Sequence, residues 1–254
     1  MVWPVNLDIW GARYEVYLNN KIIYVKMKHI DIFSSVSEYE TAKSGGTLIT
    51  PNVSFINESG GVICLPELDD PYNGHEYVEI GGLKWATMNI GASQPSDYGL
   101  YFAWGETAGF TGDQVENGEH VFDDASYTAS EISADLTLEQ DAVRANLGGN
   151  WRMSTYYEFQ ELLDNCNVTW IDDYNGTGTP GNIFTSMING NSVFLPAAGY
   201  CDGSSVYNVG SFGFYWATSL YSSSDALAFG FYSGDQVLGH FDRYYGLLVR
   251  GVCE

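Results

Sequence analysis

An α+β fold in two unequal parts is the expectation for this chain, and three observations lead to it. Only two segments show helical periodicity. The rest reads as short β segments with Gly, Ser and Asn between aromatics, in 254 residues that include 29 Gly, 19 Tyr, 13 Phe and 7 Trp. Charge also divides the chain: residues 1–65 hold five cations and six acids, while residues 66–254 hold five cations and 26 acids.

Residues 1–65 read as a small β-rich module. Tyr14–Leu18 and Lys21–Val25 alternate polar and apolar side chains around Asn19-Asn20, which predicts a hairpin with a tight Asn-rich turn. Gly45-Gly46 and Ser59-Gly60-Gly61 punctuate further short strands. Residues 66–74, with Pro66, Pro71 and Gly74, form the linker. A larger domain follows over residues 75–254.

In that domain Thr137-Leu138-Glu139-Gln140 is a capping box. Ala142, Val143, Ala145 and Leu147 follow it, and Gly148-Gly149 stops the helix. Thr155-Tyr156-Tyr157-Glu158 opens a second helix, whose stripe Phe159, Leu162, Leu163 and Cys166 predicts a core-facing side. After Asn167 the pattern is short strands and turns.

Composition narrows the function. A formal net charge of −22 repels phosphate backbones, so nucleic acid is excluded as a partner. The plain reading of the charge is solubility, with a cationic or calcium-bridged partner as the alternative. No apolar run is long enough to span a bilayer. The start, Met1-Val2-Trp3-Pro4, lacks the positive and apolar regions of a secretory signal, so Sec export is not expected. Cys64, Cys166, Cys201 and Cys253 fit no zinc or redox spacing and read as free buried thiols. A Cys166–Cys253 disulfide would require an oxidising setting.

Four ordered blocks then carry a resemblance. They are Leu83–Ala92 continued by Asp97–Thr107, Gly148–Met153, Phe194–Tyr200 and Val249–Glu254. Over about 180 residues they resemble the Fibrobacter succinogenes major paralogous domain, abundant in Bacteroidetes and related to the formylglycine-generating branch of the C-type lectin fold. Ser154 and Gly251 stand where that family usually has proline. The resemblance implies a C-type-lectin-like domain with two helices and irregular antiparallel β structure. It also implies a likeness to variable proteins of diversity-generating retroelements, whose last segment is rewritten at template adenines.

Residues 210–248 test that implication. Asn codons randomised at both adenines cannot yield Lys, Glu, Gln, Met or Trp. Between Ser211 and Leu248 there is no Lys, Glu or Met, and only Trp216 and Gln236 are forbidden types. Asp without Glu fits codon restriction, although turn chemistry also prefers Asp. The candidate variable, ligand-binding positions are Phe212, Phe214, Tyr221, Ser223, Asp225, Ala228, Gly230, Tyr232, Gly234, Asp235, Gly239, His240, Phe241, Asp242, Tyr244, Tyr245 and Leu247. Their mixture of rigid aromatics and small polar residues is that of antibody paratopes. Trp216, Phe229, Phe231, Val237, Arg243, Gly246, Val249 and Arg250 are the candidate framework. Strand alternation turns Phe229 and Phe231 inward and Ala228, Gly230 and Tyr232 toward a ligand. For Phe212 and Phe214, core and surface remain equal alternatives.

Catalytic patterns are missing. Formylglycine-generating enzymes use a close cysteine pair late in the chain, whereas Cys201 and Cys253 are isolated. His120 lies among Asp113, Glu116, Glu119, Asp123 and Asp124, which reads as a solvated acidic loop. Asp172-Asp173-Tyr174-Asn175-Gly176 has the content of a calcium loop but neither its alternating ligands nor its distal Glu. No cofactor is expected, and calcium is the one candidate. The sequence therefore predicts a binder and not an enzyme. It would be a diversified display protein on a phage tail or cell surface, meeting a protein or glycan receptor, with homo-oligomerisation adding avidity. The alternatives are a non-diversified bacterial surface lectin that binds glycan and, behind it, a formylglycine-type oxidase.

Overall fold

The computed structural model describes residues 72–254 throughout and, before them, the backbone of five strands. The chain divides into two compact units, Met1–Asp70 and Pro71–Glu254. In the first, β1 (Arg13–Leu18) and β2 (Lys21–Lys26) pair antiparallel with Leu18 opposite Lys21, the two-residue spacing of the expected hairpin. A second sheet joins β3 (Asp31–Phe33), β4 (Val53–Ile56) and β5 (Val62–Leu65) in the order β3-β5-β4. The breaks expected at Gly45-Gly46 and Ser59-Gly60-Gly61, and the linker as far as Pro71, lie outside the described residues.

The second unit has few helices and many antiparallel strands in small sheets, an α+β architecture. It opens with β6 (Tyr77–Ile80) and β7 (Leu83–Asn89), then α1 (Gly112–Glu116), α2 (Ala142–Leu147), β8 (Arg152–Met153) and α3 (Tyr156–Asn165). Next come β9 (Cys166–Ile171), β10 (Gly181–Ser186) and β11 (Ser192–Pro196), paired in the order β11-β10-β9. A hairpin of β12 (Tyr200–Asp202) and β13 (Ser205–Tyr207) leads to the meander β14 (Phe212–Leu220), β15 (Asp225–Tyr232) and β16 (Asp235–Asp242). The last strand, β17 (Arg250–Cys253), lies between β7 and β8, with Val252 opposite Trp85 on one side and Arg152 on the other.

The helix at Tyr156 starts as the sequence predicts. Thr155 accepts from the Glu158 backbone N–H, and Glu158 accepts from that of Thr155. Phe159 and Leu162 of its stripe are buried, and the Phe159 ring lies 5.1 Å from Phe229 and 5.6 Å from Trp85. Replacing such a buried Phe by Ala costs about 3–5 kcal/mol.

The earlier helix departs from expectation. Its N-cap is Asp141, and Thr137–Gln140 folds a separate turn in which Gln140 Oε1 accepts from the Thr137 N–H at 3.0 Å. Asp141 prevails because it does two things at once. It caps Arg144 N–H at 2.9 Å and takes the Met153 N–H at 2.8 Å, tying α2 to β8. Helix α1 was not foreseen: it has five residues and one buried apolar side chain, Val115, too few for a period to show. Its Thr111–Gln114 capping box was the available signal.

The core falls into two neighbouring clusters. One gathers Trp85, Phe159, Phe184, Tyr215, Phe229 and Phe231. The other gathers Phe102, Trp104, Trp151, Trp216, Leu247 and Val249. Two indoles link strands within it: Trp104 donates to Ala217 O and Trp216 to Phe102 O, both at 2.8 Å. Cys166, Cys201 and Cys253 are free and buried, so the Cys166–Cys253 disulfide does not form.

Candidate binding face

The β14-β15-β16 meander determines where the tail's side chains point. Phe212, Phe214 and Trp216 stand opposite Tyr232, Gly230 and Ala228 on β15, which in turn stand opposite Asp235, Val237 and Gly239 on β16. Paired residues share a face. The other face carries Tyr215, Phe229 and Phe231 into the core, as alternation predicts.

The first face is buried at one end and open at the other. At the level of Trp216 it joins the core cluster of Phe102, Trp104 and Leu247. This overturns three expected ligand positions. Gly230, expected to face a ligand, is buried under the Phe214 ring. Ala228 pairs with Trp216 and is fully buried, and Leu247 exchanges backbone hydrogen bonds with Phe102 inside the same cluster. Neither reaches solvent.

Toward the open end the rings form a continuous cluster. Phe214 lies 5.8 Å from Phe212, 5.0 Å from Phe241 and 5.7 Å from Tyr200. Phe212 meets Tyr232 at 5.4 Å, Tyr200 meets Tyr207 at 5.6 Å and Tyr245 at 5.5 Å, and Tyr245 meets Tyr244 at 5.0 Å. Tyr232 is 41 % exposed and Tyr207 45 %, while Phe212, Phe241, Tyr200, Tyr244 and Tyr245 are half-buried. Phe214 is the most enclosed ring, because it lies across Gly230, where an added Cβ would meet it at 3.0 Å. The even alternatives for Phe212 and Phe214 thus resolve into one half-buried and one nearly buried member of a single cluster.

Val237 was expected in the framework but is 51 % exposed, because its partner Gly230 provides no side chain to cover it. Gly239 faces open space, with nothing within 4 Å of an added Cβ. Gly234 and Asp235 are exposed where the chain turns from β15 into β16.

Tyr221, Ser223, Asp225 and His240 belong to a separate patch. Tyr221 stacks on His240 at 4.0 Å, and His240 Nδ1 lies 3.4 Å from Asp225 Oδ1. Asp225 accepts from Ser224 and Ser222 hydroxyls at 2.7 and 2.8 Å, and those bonds hold its carboxyl below the usual range. Ser223 is exposed, and its carbonyl accepts from Arg243 at 3.0 Å. Asp242, opposite Asp225, is half-buried.

Carboxylates flank the ring cluster. Asp202 lies two residues beyond Tyr200 on β12, and Asp235 is in register with Tyr232. Burial, with the fields of Asp202 and Asp242 added, pushes the Tyr245 hydroxyl up to about 12. Tyr244 is raised by burial and by Asp242, Asp202 and Asp124.

Beneath the face the framework is held by two buried arginines. Arg243 donates to Ile132 O and Ser223 O at 3.0 Å, to Ala129 O, and to the Tyr127 hydroxyl at 3.0 Å, and its guanidinium lies 4.9 Å from the Trp104 ring. Arg250 donates to Asn89 Oδ1, Ala86 O and Phe194 O at 2.9, 2.8 and 3.0 Å.

Tyr200 and Tyr207 were missed by sequence reasoning because they precede the codon-restricted segment. Their signal was alternation on a short hairpin, Tyr200 opposite Tyr207. In the two acidic segments some of the polar and aromatic groups are engaged within the fold, among them Asp123, which accepts from the Ser126 N–H at 2.8 Å. Asp173 accepts from Gly178 N–H, Asp172 from the Trp170 indole, and His120 stacks on Phe110 at 3.7 Å. Among the described residues, no group of three or more His, Cys, Asp or Glu side chains is placed to share a metal ion. Burial raises all three described thiols. Among the described residues, no helix is long and apolar enough to cross a membrane.

What these elements define is an α+β unit carrying an aromatic surface on a buried, arginine-locked framework. No family model matches the chain, and neither the curated proteins nor the solved structures compared with it give a match.

Proposed function

We propose that Pro71–Glu254 is a C-type-lectin-like binding domain resembling the Fibrobacter succinogenes major paralogous domain, and that its tail is a retroelement-diversified region that varies a receptor-binding face. The observation that carries this reading is the sorting of side chains along the tail. Phe212, Phe214, Tyr232, Phe241, Tyr244 and Tyr245, all types that adenine randomisation allows, make up most of the ring cluster. Trp216, Phe229, Phe231, Arg243, Gly246, Val249 and Arg250 are buried beneath it. Such an arrangement lets the face change while the core stays constant. The protein acts by binding and not by catalysis. Its first unit attaches it to a phage tail or cell-surface assembly, and the partner is a receptor on a cell.

Sequencing the DNA around the gene tests the diversification. A neighbouring reverse transcriptase gene and a template repeat that differs from the tail's coding sequence only at adenines are the expected result. Absence of the template sinks that part of the reading. One observation favours a second reading, a non-diversified lectin: tyrosine rings beside Asp202 suit stacking and hydroxyl contacts with a sugar. Glycan-array binding in the absence of any template would select it.

A further inference from the structure

We infer that the partner of the aromatic face is a cationic protein segment, bound by arginine and lysine side chains that stack on the rings and pair with the carboxylates flanking them. This rests on the reading of that face as the binding surface. Charge complementarity carries it. Residues 72–254 hold 23 Asp and Glu against five Lys and Arg. Two of those five cations, Arg243 and Arg250, are buried and already satisfied by oxygen atoms within the fold. A third, Arg152, is held by Glu158 at 2.6 Å, and a fourth, Lys84, lies 5.4 Å from the Tyr72 ring on another sheet. None of the five is a member of the ring cluster. Among the described residues, the ring cluster thus offers π faces and flanking carboxylates with no Lys or Arg in it.

The geometry favours a segment with several cations over a single ammonium. The cluster runs from Tyr207 through Tyr200 and Phe214 to Tyr232, with Asp202 near one end and Asp235 in register with the other. A cation over an aromatic face gains more when a carboxylate is also within reach, and guanidinium stacks better than ammonium. Long-range attraction by so acidic a unit also speeds encounter with a basic partner.

Fluorescence anisotropy with a labelled peptide of alternating arginine and serine tests the inference on the full chain. The paired substitution Asp202→Asn and Asp235→Asn removes the flanking charge. Glu161→Gln with Asp164→Asn, both exposed on α3, removes the same net charge elsewhere. The flanking pair should weaken binding about fivefold or more, and the α3 pair less than about twofold, because only near carboxylates escape screening. Tyr232→Ser should weaken it too, and the arginine peptide should bind more tightly than its lysine counterpart. Circular dichroism establishes that each variant is folded. Equal losses in the two charge variants would reduce the effect to bulk attraction and overturn the inference. So would an absence of peptide binding, capture of a neutral oligosaccharide by the rings, or self-association through this face. If ring substitution abolishes binding to cells while the Asp202 and Asp235 substitutions do not, the function proposed above stands and only this inference falls.

Discussion

Arg243 shows how a single side chain can fix the interior beneath a surface that, on the proposed function, changes. Its guanidinium meets carbonyls from residues 129, 132 and 223, so it joins the β14–β15 turn to a loop about 100 residues earlier. Arg243→Ala leaves the buried Ile132 carbonyl without this donor and takes one of two donors from Ala129 O, which keeps the Ile132 N–H, and should destabilise the unit by about 3 kcal/mol, measured by urea denaturation. The sequence marked Arg243 as framework, but its acceptors were illegible, because a backbone carbonyl has no signature in residue type. Glu158 makes a pH-dependent contribution. Burial works to raise its pKa, but hydrogen bonds from Arg152 and Thr155 outweigh that and leave it below the ordinary value of 4.5. The folded state therefore binds fewer protons at this site. The stability is fully present above about pH 4.5 and is lost as pH falls through the depressed value. Glu158→Gln should lower the melting temperature near neutrality and flatten its decline on the acid side. An unchanged acid slope would refute the assignment.

Within the meander, two glycines on its outer strands have opposite tolerances. A Cβ on Gly213 would stand 2.2 Å from the Phe231 ring, whereas one on Gly239 meets nothing. Gly213→Ala should destabilise by about 1–3 kcal/mol through overpacking. Gly239→Tyr should stay within about 0.5 kcal/mol of the parent and enlarge the aromatic face. Thermal denaturation of both variants checks the pair. At this scale alternation revealed much: it placed Phe229 and Phe231 inside and Tyr232 outside. It failed at Ala228 because period-two reasoning assigns a face but not how far along the strand that face stays uncovered. The core cluster containing Trp104 covers it, and that cluster comes from residues far away in sequence. Similarly, the Thr137 box was a valid local signal displaced by Asp141, whose second bond to Met153 is tertiary.

Over the whole chain, the sequence made the α+β class and the buried stripe of α3 legible, since both follow from local patterns. The proposed binding face was legible in its residue types but not in its unity. Tyr221 and His240 belong to one patch and the Phe214 cluster to another, a division created by pairing between strands. The two patches should separate experimentally. Tyr232→Ser should abolish binding to the receptor-bearing cell, while Tyr221→Ser, at a side chain 57 % exposed, should leave it within about twofold. Both should shift stability by no more than about 0.5 kcal/mol. The placement of β17 has a consequence of another kind. The strand completing the sheet with β7 and β8 is made after every position of the tail, and Arg250 reaches back to Asn89. Native closure must therefore wait until the ribosome has passed the whole tail. A copying error that shifts the reading frame or inserts a stop before Arg250 would remove the closing strand along with the face. If the tail is diversified as proposed, folding itself would then act as a proofreader, admitting only tails read through in frame.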